Sequence, residues 1–310
     1  SDWSAEIPVS RLVRLDAAAG AVPLEQGLTA FAGAGIVVAM RGPAAAPADD
    51  RLAVLYTDDA GVNLALHDAD TLDVTEPAAV LPSAVQERGC ADAGEGQLVC
   101  LLRQAGGLPL ALALVTPGAS PVVQEIPLPP GAVIQEDAVD VADPLCADPA
   151  AGARLAAVGL EDGRIAVAHL DGSPAFDVLV DTGSRAPARS LACAGGGIVL
   201  APKLADDLLV ALDVEAAPAG AILWSVDVPR ASRAALDAAT GMVHAAGEGD
   251  NRVVVLEPVT GALRARRSFD VLPGRDGVVQ GAAWITESAT DPATLVFTIA
   301  SPPGVLEVPL

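Results

Sequence analysis

Residues Ala192–Asp213 carry the pattern that most restricts what this chain can fold into. They run from a short apolar stretch through Gly195-Gly196-Gly197 to the apolar run Ile198–Ala201. A polar turn, a second apolar run (Leu208–Leu212) and a closing acid, Asp213, follow. Apolar runs this short, bounded by Gly, Pro and Asp, are strand signals. Degenerate copies recur along the 310 residues. Gly35–Arg41 and Asp49–Tyr56 parallel Gly197–Lys203 and Asp206–Asp213. Arg11–Val22 matches Arg252–Leu263 without a gap, as strand, acid, tight turn with Gly, strand. Units that recur in this way bury their apolar faces against one another.

The copies cover 28–67, 84–127, 136–180, 188–228 and 232–269, with a last one holding three strands within 282–308. Their third strands are expected to end near Tyr56, Thr116, His169, Asp213, Glu257 and Pro309, at intervals of 60, 53, 44, 44 and 52 residues. A period near 40–50 residues with four strands per period implies an all-β chain: a β-propeller of four-stranded antiparallel blades. Six blades follow from the copies that align, and a surplus hairpin at 11–25 leaves seven open. The last copy lacks a fourth strand. Trp3–Val9 is similar to the fourth strand Val122–Pro127, so an N-terminal strand is expected to close the ring and cover a sheet edge. Residues 1–310 are expected to form one domain, and no segment shows the periodicity of a long amphipathic helix.

Composition narrows the function. The chain is 52% hydrophobic but only 3% aromatic, so its core must be built from Ala, Val and Leu. Eighteen Lys and Arg against 40 Asp and Glu give a formal charge of −22, which repels nucleic acid and acidic membranes. No apolar run reaches the roughly 18–20 residues that span a bilayer. An exported form is expected to have lost a leader ahead of Ser1, and a lipid anchor there stays open. Cys90, Cys100, Cys146 and Cys193 form an even set with no C-x-x-C pair and no nearby His, which favours disulfides over zinc. Disulfides imply a secreted, periplasmic or cell-surface protein. Cys90, Cys146 and Cys193 share one repeat position, at the end of the first strand in three successive copies. Cys100 lies in the second strand of the first of these. The simplest pairing is Cys90–Cys100 and Cys146–Cys193.

The unit of apolar strand, Leu-Asp or Leu-Glu, Thr-Gly or Ala-Gly, strand is best formed at Arg252–Arg264 and next at Arg11–Pro23. It resembles the repeats of the YVTN, NHL and PQQ-like propeller families. The resemblance implies a fold and no particular activity. The Gly-His and Trp-Asp dipeptides of WD40 repeats are missing. Trp3, Trp224 and Trp284 fall at unrelated repeat positions, unlike the docking Trp of quinoprotein dehydrogenases.

Candidate chemistry is sparse. His67, His169 and His244 lie in three different copies with no nucleophile beside them, and are expected on the surface or in satisfied turns. The acid clusters Asp49-Asp50, Asp58-Asp59, Asp68–Asp73 and Glu136–Asp143 do not match the spaced calcium loop and read as solvated turns. Arg264, Arg266 and Arg267, with Arg252 and Arg275 nearby, make the one local basic patch. Two uses are open to it: contact with an acidic partner, or pairing with acids on neighbouring strands. The expectation is a non-catalytic binding or scaffold module for a protein partner in an envelope or extracellular assembly, with no cofactor. The alternative is a metal-dependent lactonase or hydrolase using the central channel, with calcium as the ion left open. Alkylation of the native protein followed by mass spectrometry should modify no cysteine without reductant and four with it. Four thiols freely alkylated without reductant would overturn the extracytoplasmic assignment.

Overall fold

The computed structural model describes residues 50–106, 109–136, 144–149, 154–216, 220–237, 240–247 and 252–268. It also describes the backbone strands Arg11–Arg14, Leu24–Gly27, Ile36–Met40, Val279–Ile285, Thr294–Ala300 and Pro303–Pro309. Among these residues the regular structure is β throughout, apart from one 3-10 turn at Leu204–Asp206. Contacts group the chain into two units, residues 1–126 and 127–310.

The first unit opens with a hairpin, β1 (Arg11–Arg14) and β2 (Leu24–Gly27). Two four-stranded sheets follow. The first holds β3 (Ile36–Met40), β4 (Arg51–Asp58), β5 (Gly61–Asp68) and β6 (Val74–Val80). The second holds β7 (Ala84–Gly94), β8 (Gln97–Gln104), β9 (Leu110–Thr116) and β10 (Val122–Ile126).

The second unit contributes three more four-stranded sheets. The third is β11 (Leu145–Asp148), β12 (Leu155–Gly159), β13 (Ile165–His169) and β14 (Ala175–Val180). The fourth is β15 (Ala192–Cys193), β16 (Ile198–Lys203), β17 (Leu208–Asp213) and β18 (Ala221–Asp227). The fifth is β19 (Ala231–Asp237), β20 (Met242–Gly247), β21 (Arg252–Leu256) and β22 (Leu263–Ser268). A three-stranded sheet of β23 (Val279–Ile285), β24 (Thr294–Ala300) and β25 (Pro303–Pro309) ends the chain. Every sheet is an antiparallel meander in sequence order.

The continuous apolar runs of the middle strands follow from burial on both faces. Side chains alternate across a strand. On β16, Val199 and Ala201 pack with the third sheet while Leu200 packs with the fifth. On β17, Val210 and Leu212 face one way and Leu209 and Ala211 the other. In the first unit a cluster including Val38, Leu55, Leu64, Leu98, Cys100 and Val115 joins the first and second sheets. Within each unit, the main contacts between successive sheets all use the first strand of the later sheet. The fourth strands lie at the sheet edges and are largely exposed.

One expectation about strand order is corrected. The first copy is out of phase by one strand. Ile36–Met40 is the first strand of its sheet and Arg51–Asp58 the second, so Val62–His67 lies in the third and β6 is the fourth. The third strand therefore ends at Asp68, not near Tyr56, and the first interval falls from 60 to 48 residues. The turn chemistry agrees. Asp68 Oδ1 accepts from the amides of Asp70 and Thr71, as Asp213 Oδ1 does from Glu215 and Ala216. Gly35–Arg41 resembles Gly197–Lys203 in sequence although β3 is a first strand and β16 a second. Of the hairpin expected at 11–25, β1 pairs antiparallel with β2, and the turn between them lies outside the described residues. The expected ring-closing strand Trp3–Val9 and the strand near Val139 lie outside the described residues.

The cysteines pair as Cys90–Cys100 and Cys146–Cys193. Cys90 and Cys100 stand opposite each other in the β7–β8 register. Cys146 on β11 and Cys193 on β15 join the first strands of the third and fourth sheets. The two loops closed span 10 and 47 residues. Loop-closure entropy gives about 3 kcal/mol for the shorter and about 4 kcal/mol for the longer. Urea unfolding should therefore rank C146A/C193A as less stable than C90A/C100A by about 1 kcal/mol.

Candidate functional site

In an antiparallel meander the turn between second and third strands lies at the same end as the link to the next sheet. The other two turns lie at the opposite end. The polar chemistry of the second unit sorts onto these two ends and onto one sheet edge.

At the first end stands Lys203, the only lysine of the chain, at the close of β16 and fully buried. Its Nζ donates to Gly163 O in the β12–β13 turn and to Ala186 O in the link between third and fourth sheets, each at 2.7 Å. The Thr182 hydroxyl lies 2.9 Å from Gly163 O and 3.0 Å from Ser184 O. Gly163 has φ +86°, and a Cβ there would sit 2.3 Å from Ser184 O, so the position needs glycine.

Beside this tie opens a cleft of about 640 Å³ lined by Glu161, Asp162, Arg164, Asp181, Ser184 and Arg185, with Gly183. Arg164 Nε donates to Asp162 Oδ2 at 2.7 Å, and this hydrogen bond holds the Asp162 carboxyl below its usual range. Ser184 donates to Asp206. Burial pushes Lys203 down to about 8, partly opposed by the charges of Asp206, Asp162 and Asp181. Within the cleft Asp162 pairs with Arg164, and Lys203 serves the backbone.

At the opposite end His169 closes β13. Its Nδ1 lies 2.7 Å from Asp177 Oδ2 on β14, and its Nε2 lies 3.4 Å from Glu215 in the fourth sheet. Burial works against the imidazolium. The hydrogen bonds and charges of Asp177 and then Glu215 outweigh it, and the pKa is raised above its ordinary value. The ion pair is therefore complete below the ordinary pKa, and its contribution is lost as pH rises through the raised one.

The other two histidines differ from expectation, being buried in strands rather than set in turns or on the surface. His67 bonds Leu72 O through Nδ1 at 2.9 Å, and His244 lies within β20. Apolar neighbours on both sides of a middle strand enclose whatever residue stands there.

Arg264, Arg266 and Arg267 fall on β22, the outer strand of the fifth sheet. Arg264 and Arg266 are exposed; the Arg267 side chain lies outside the described residues. In register with β21, Arg266 faces Val254 and Arg267 faces Val253. Among the described residues no carboxylate stands opposite Arg266 or Arg267 in this register. The acid whose charge Arg264 reaches is Glu257, in the turn after β21. Glu257 itself accepts from the Thr260 amide at 2.7 Å.

The described acid clusters also serve turns. Asp58 Oδ1 accepts from the Ala60 amide at 2.8 Å, and Asp68 closes the β5–β6 turn. Among the described residues no group of three or more His, Cys, Asp or Glu is arranged to hold a metal ion.

Comparison with known proteins returned structural matches only; no protein-family model and no curated sequence matches the chain. The β-propeller domain of Cps50 (Swd1) from Myceliophteria thermophila superposes with a TM-score of 0.60 at 12% identity, over 92% of this chain and 90% of that one. Sqt1 from Saccharomyces cerevisiae gives 0.54 at 12% identity, over 93% and 88%. Virginiamycin B lyase from Staphylococcus aureus gives 0.52 at 11%, over 89% and 84%. With its run of four-stranded antiparallel meanders, the chain has the β-propeller fold. Five sheets are complete among the described residues, and a sixth has three strands.

Sequence reasoning passed over Lys203 and the His169 cluster. A usable signal for the first was present: one lysine among 17 arginines, set at the end of an apolar strand. Between pH 8 and 10.5 the folded chain loses the Lys203 proton while the unfolded chain keeps it, so stability rises with pH. Urea unfolding at pH 7.5 and 10 should show the wild type gaining up to about 3 kcal/mol relative to K203M. Equal pH slopes would show that Lys203 titrates normally.

Proposed function

We propose that this protein is a non-catalytic binding or scaffold module working outside the cytoplasm, as a secreted, periplasmic or cell-surface propeller that docks a protein partner. The observation that carries this reading is the basic edge of β22. Its two described arginines are exposed, Arg266 stands opposite Val254, and both belong to a chain of formal charge −22. On such a surface a local positive patch orients an acidic partner. The two disulfides support the oxidising setting, and sheets packed on both faces make a rigid platform. The acidic remainder of the surface disfavours polyanions.

The test is affinity purification of the chain under native conditions from the cells that make it. One protein should be recovered in stoichiometric amount with the wild type and lost with R264E/R266E, whose melting temperature should stay within a few degrees because both sites are exposed. No stoichiometric partner in either sample would sink the reading.

A further inference from the structure

We infer that β22 is a strand-addition edge: an extended, acidic segment of the partner pairs along it as a further strand of the fifth sheet. This rests on the reading of the β22 arginines as the partner contact and names the form the partner takes there.

The argument begins with the main chain. Sheet order ends at β22, so about half of its backbone donors and acceptors point away from β21. No described strand meets them. Such an edge is a template for another chain unless the protein blunts it.

The other four fourth strands show how this protein treats its edges. β6 carries Glu76 and Pro77, β10 carries Glu125, β14 carries Asp177, and β18 carries Asp227. Each has one acid and no base. Glu76 is paired with Arg51 and Asp177 with His169; Glu125 and Asp227 leave negative charge at their edges, which repels acidic segments, and Pro77 removes a donor from β6. β22 reads Leu-Arg-Ala-Arg-Arg-Ser. It has three bases, no acid and no Pro, so its edge charge has the opposite sign to that of the acids on the other four.

Charge then selects the occupant. A second β22 would set arginine against arginine, which disfavours pairing between copies of this edge. An acidic strand reverses the sign of that term. Main-chain hydrogen bonds would supply affinity, and carboxylates near Arg264 and Arg266 would supply direction and choice of partner. Leu263 is 47% exposed at the head of the strand, and with the arginine stems it offers apolar cover for one or two side chains of the incoming segment. A short acidic segment needs only this local field. A long polyanion would meet the negative remainder of the surface as well.

The probe is a fluorescent synthetic peptide of alternating Glu and Val with Ser/Gly flanks, titrated by anisotropy against the intact, disulfide-bonded protein at low ionic strength. Saturable binding is expected, with slowed hydrogen exchange in the β22 amides. R264E/R266E should weaken binding by about tenfold or more. N-methylation of alternate amides on the pairing side of the peptide should abolish it, and so should Glu→Lys changes in the peptide. Three outcomes would each overturn strand addition: no binding, equal binding to R264E/R266E, or undiminished binding of the N-methylated peptide. If one of them occurs while the native partner is still lost from R264E/R266E, the arginine contact stands without the added strand. If the native partner is also retained, the partner-contact reading fails with it.

Discussion

Small aliphatic side chains between successive sheets set the terms for the rest of this structure. With 3% aromatic residues, the contact layers are built from Ala, Val and Leu, as in the cluster of Ala201, Val210 and Leu212 on one side of the fourth sheet and Leu200, Leu209 and Ala211 on the other. A layer this thin has little space to hide a polar atom, and a buried donor or acceptor without a partner costs more than the hydrogen bond returns. The middle strands are therefore apolar without alternation, and several polar side chains that enter the layers are tied to the main chain.

Those ties recur in the second unit. Lys203 binds Gly163 O and Ala186 O, Ser190 binds Ser232 O at 2.8 Å, and the Trp224 indole binds Pro258 O at 2.7 Å. Each crosses from one sheet or its link to the next and ends on a backbone carbonyl. Trp224 also lies against Gly261, where a Cβ would approach the ring to 2.7 Å, so the Gly of the Thr-Gly turn makes room for the indole. The Cys146–Cys193 bridge is the covalent member of this set. Together they fix neighbouring sheets laterally, a direction in which apolar packing alone has little preference.

Much of the fold was legible in the sequence because a four-strand unit buried on both faces leaves a period of apolar runs and turn residues. Five copies kept phase. The first did not, because Ile-Val-Val-Ala at 36–39 and Ile-Val-Leu-Ala at 198–201 are nearly the same words in different strands. Apolar content alone does not number a strand. The acid that closes the third-strand turn does, and Asp68 was the better marker. The cysteine pairs were readable because three of the four share a repeat position. The surroundings of Lys203 and His169 were not, because their partners come from turns and neighbouring sheets 8 to 46 residues away. The arginines of β22 were visible as a patch. That they stand on an outer strand opposite valines emerged only once the register was known.

The burial of Lys203 has a practical consequence. The only side-chain amine of this protein is enclosed at the junction of two sheets. Reagents that seek surface lysines, whether for coupling to a support or for crosslinking, find no lysine handle on the native fold. The amine becomes available only when the contacts at Gly163 and Ala186 part. Its rate of acylation is thus a clock for local opening between the third and fourth sheets, read by mass at a single residue and free of background from any other lysine.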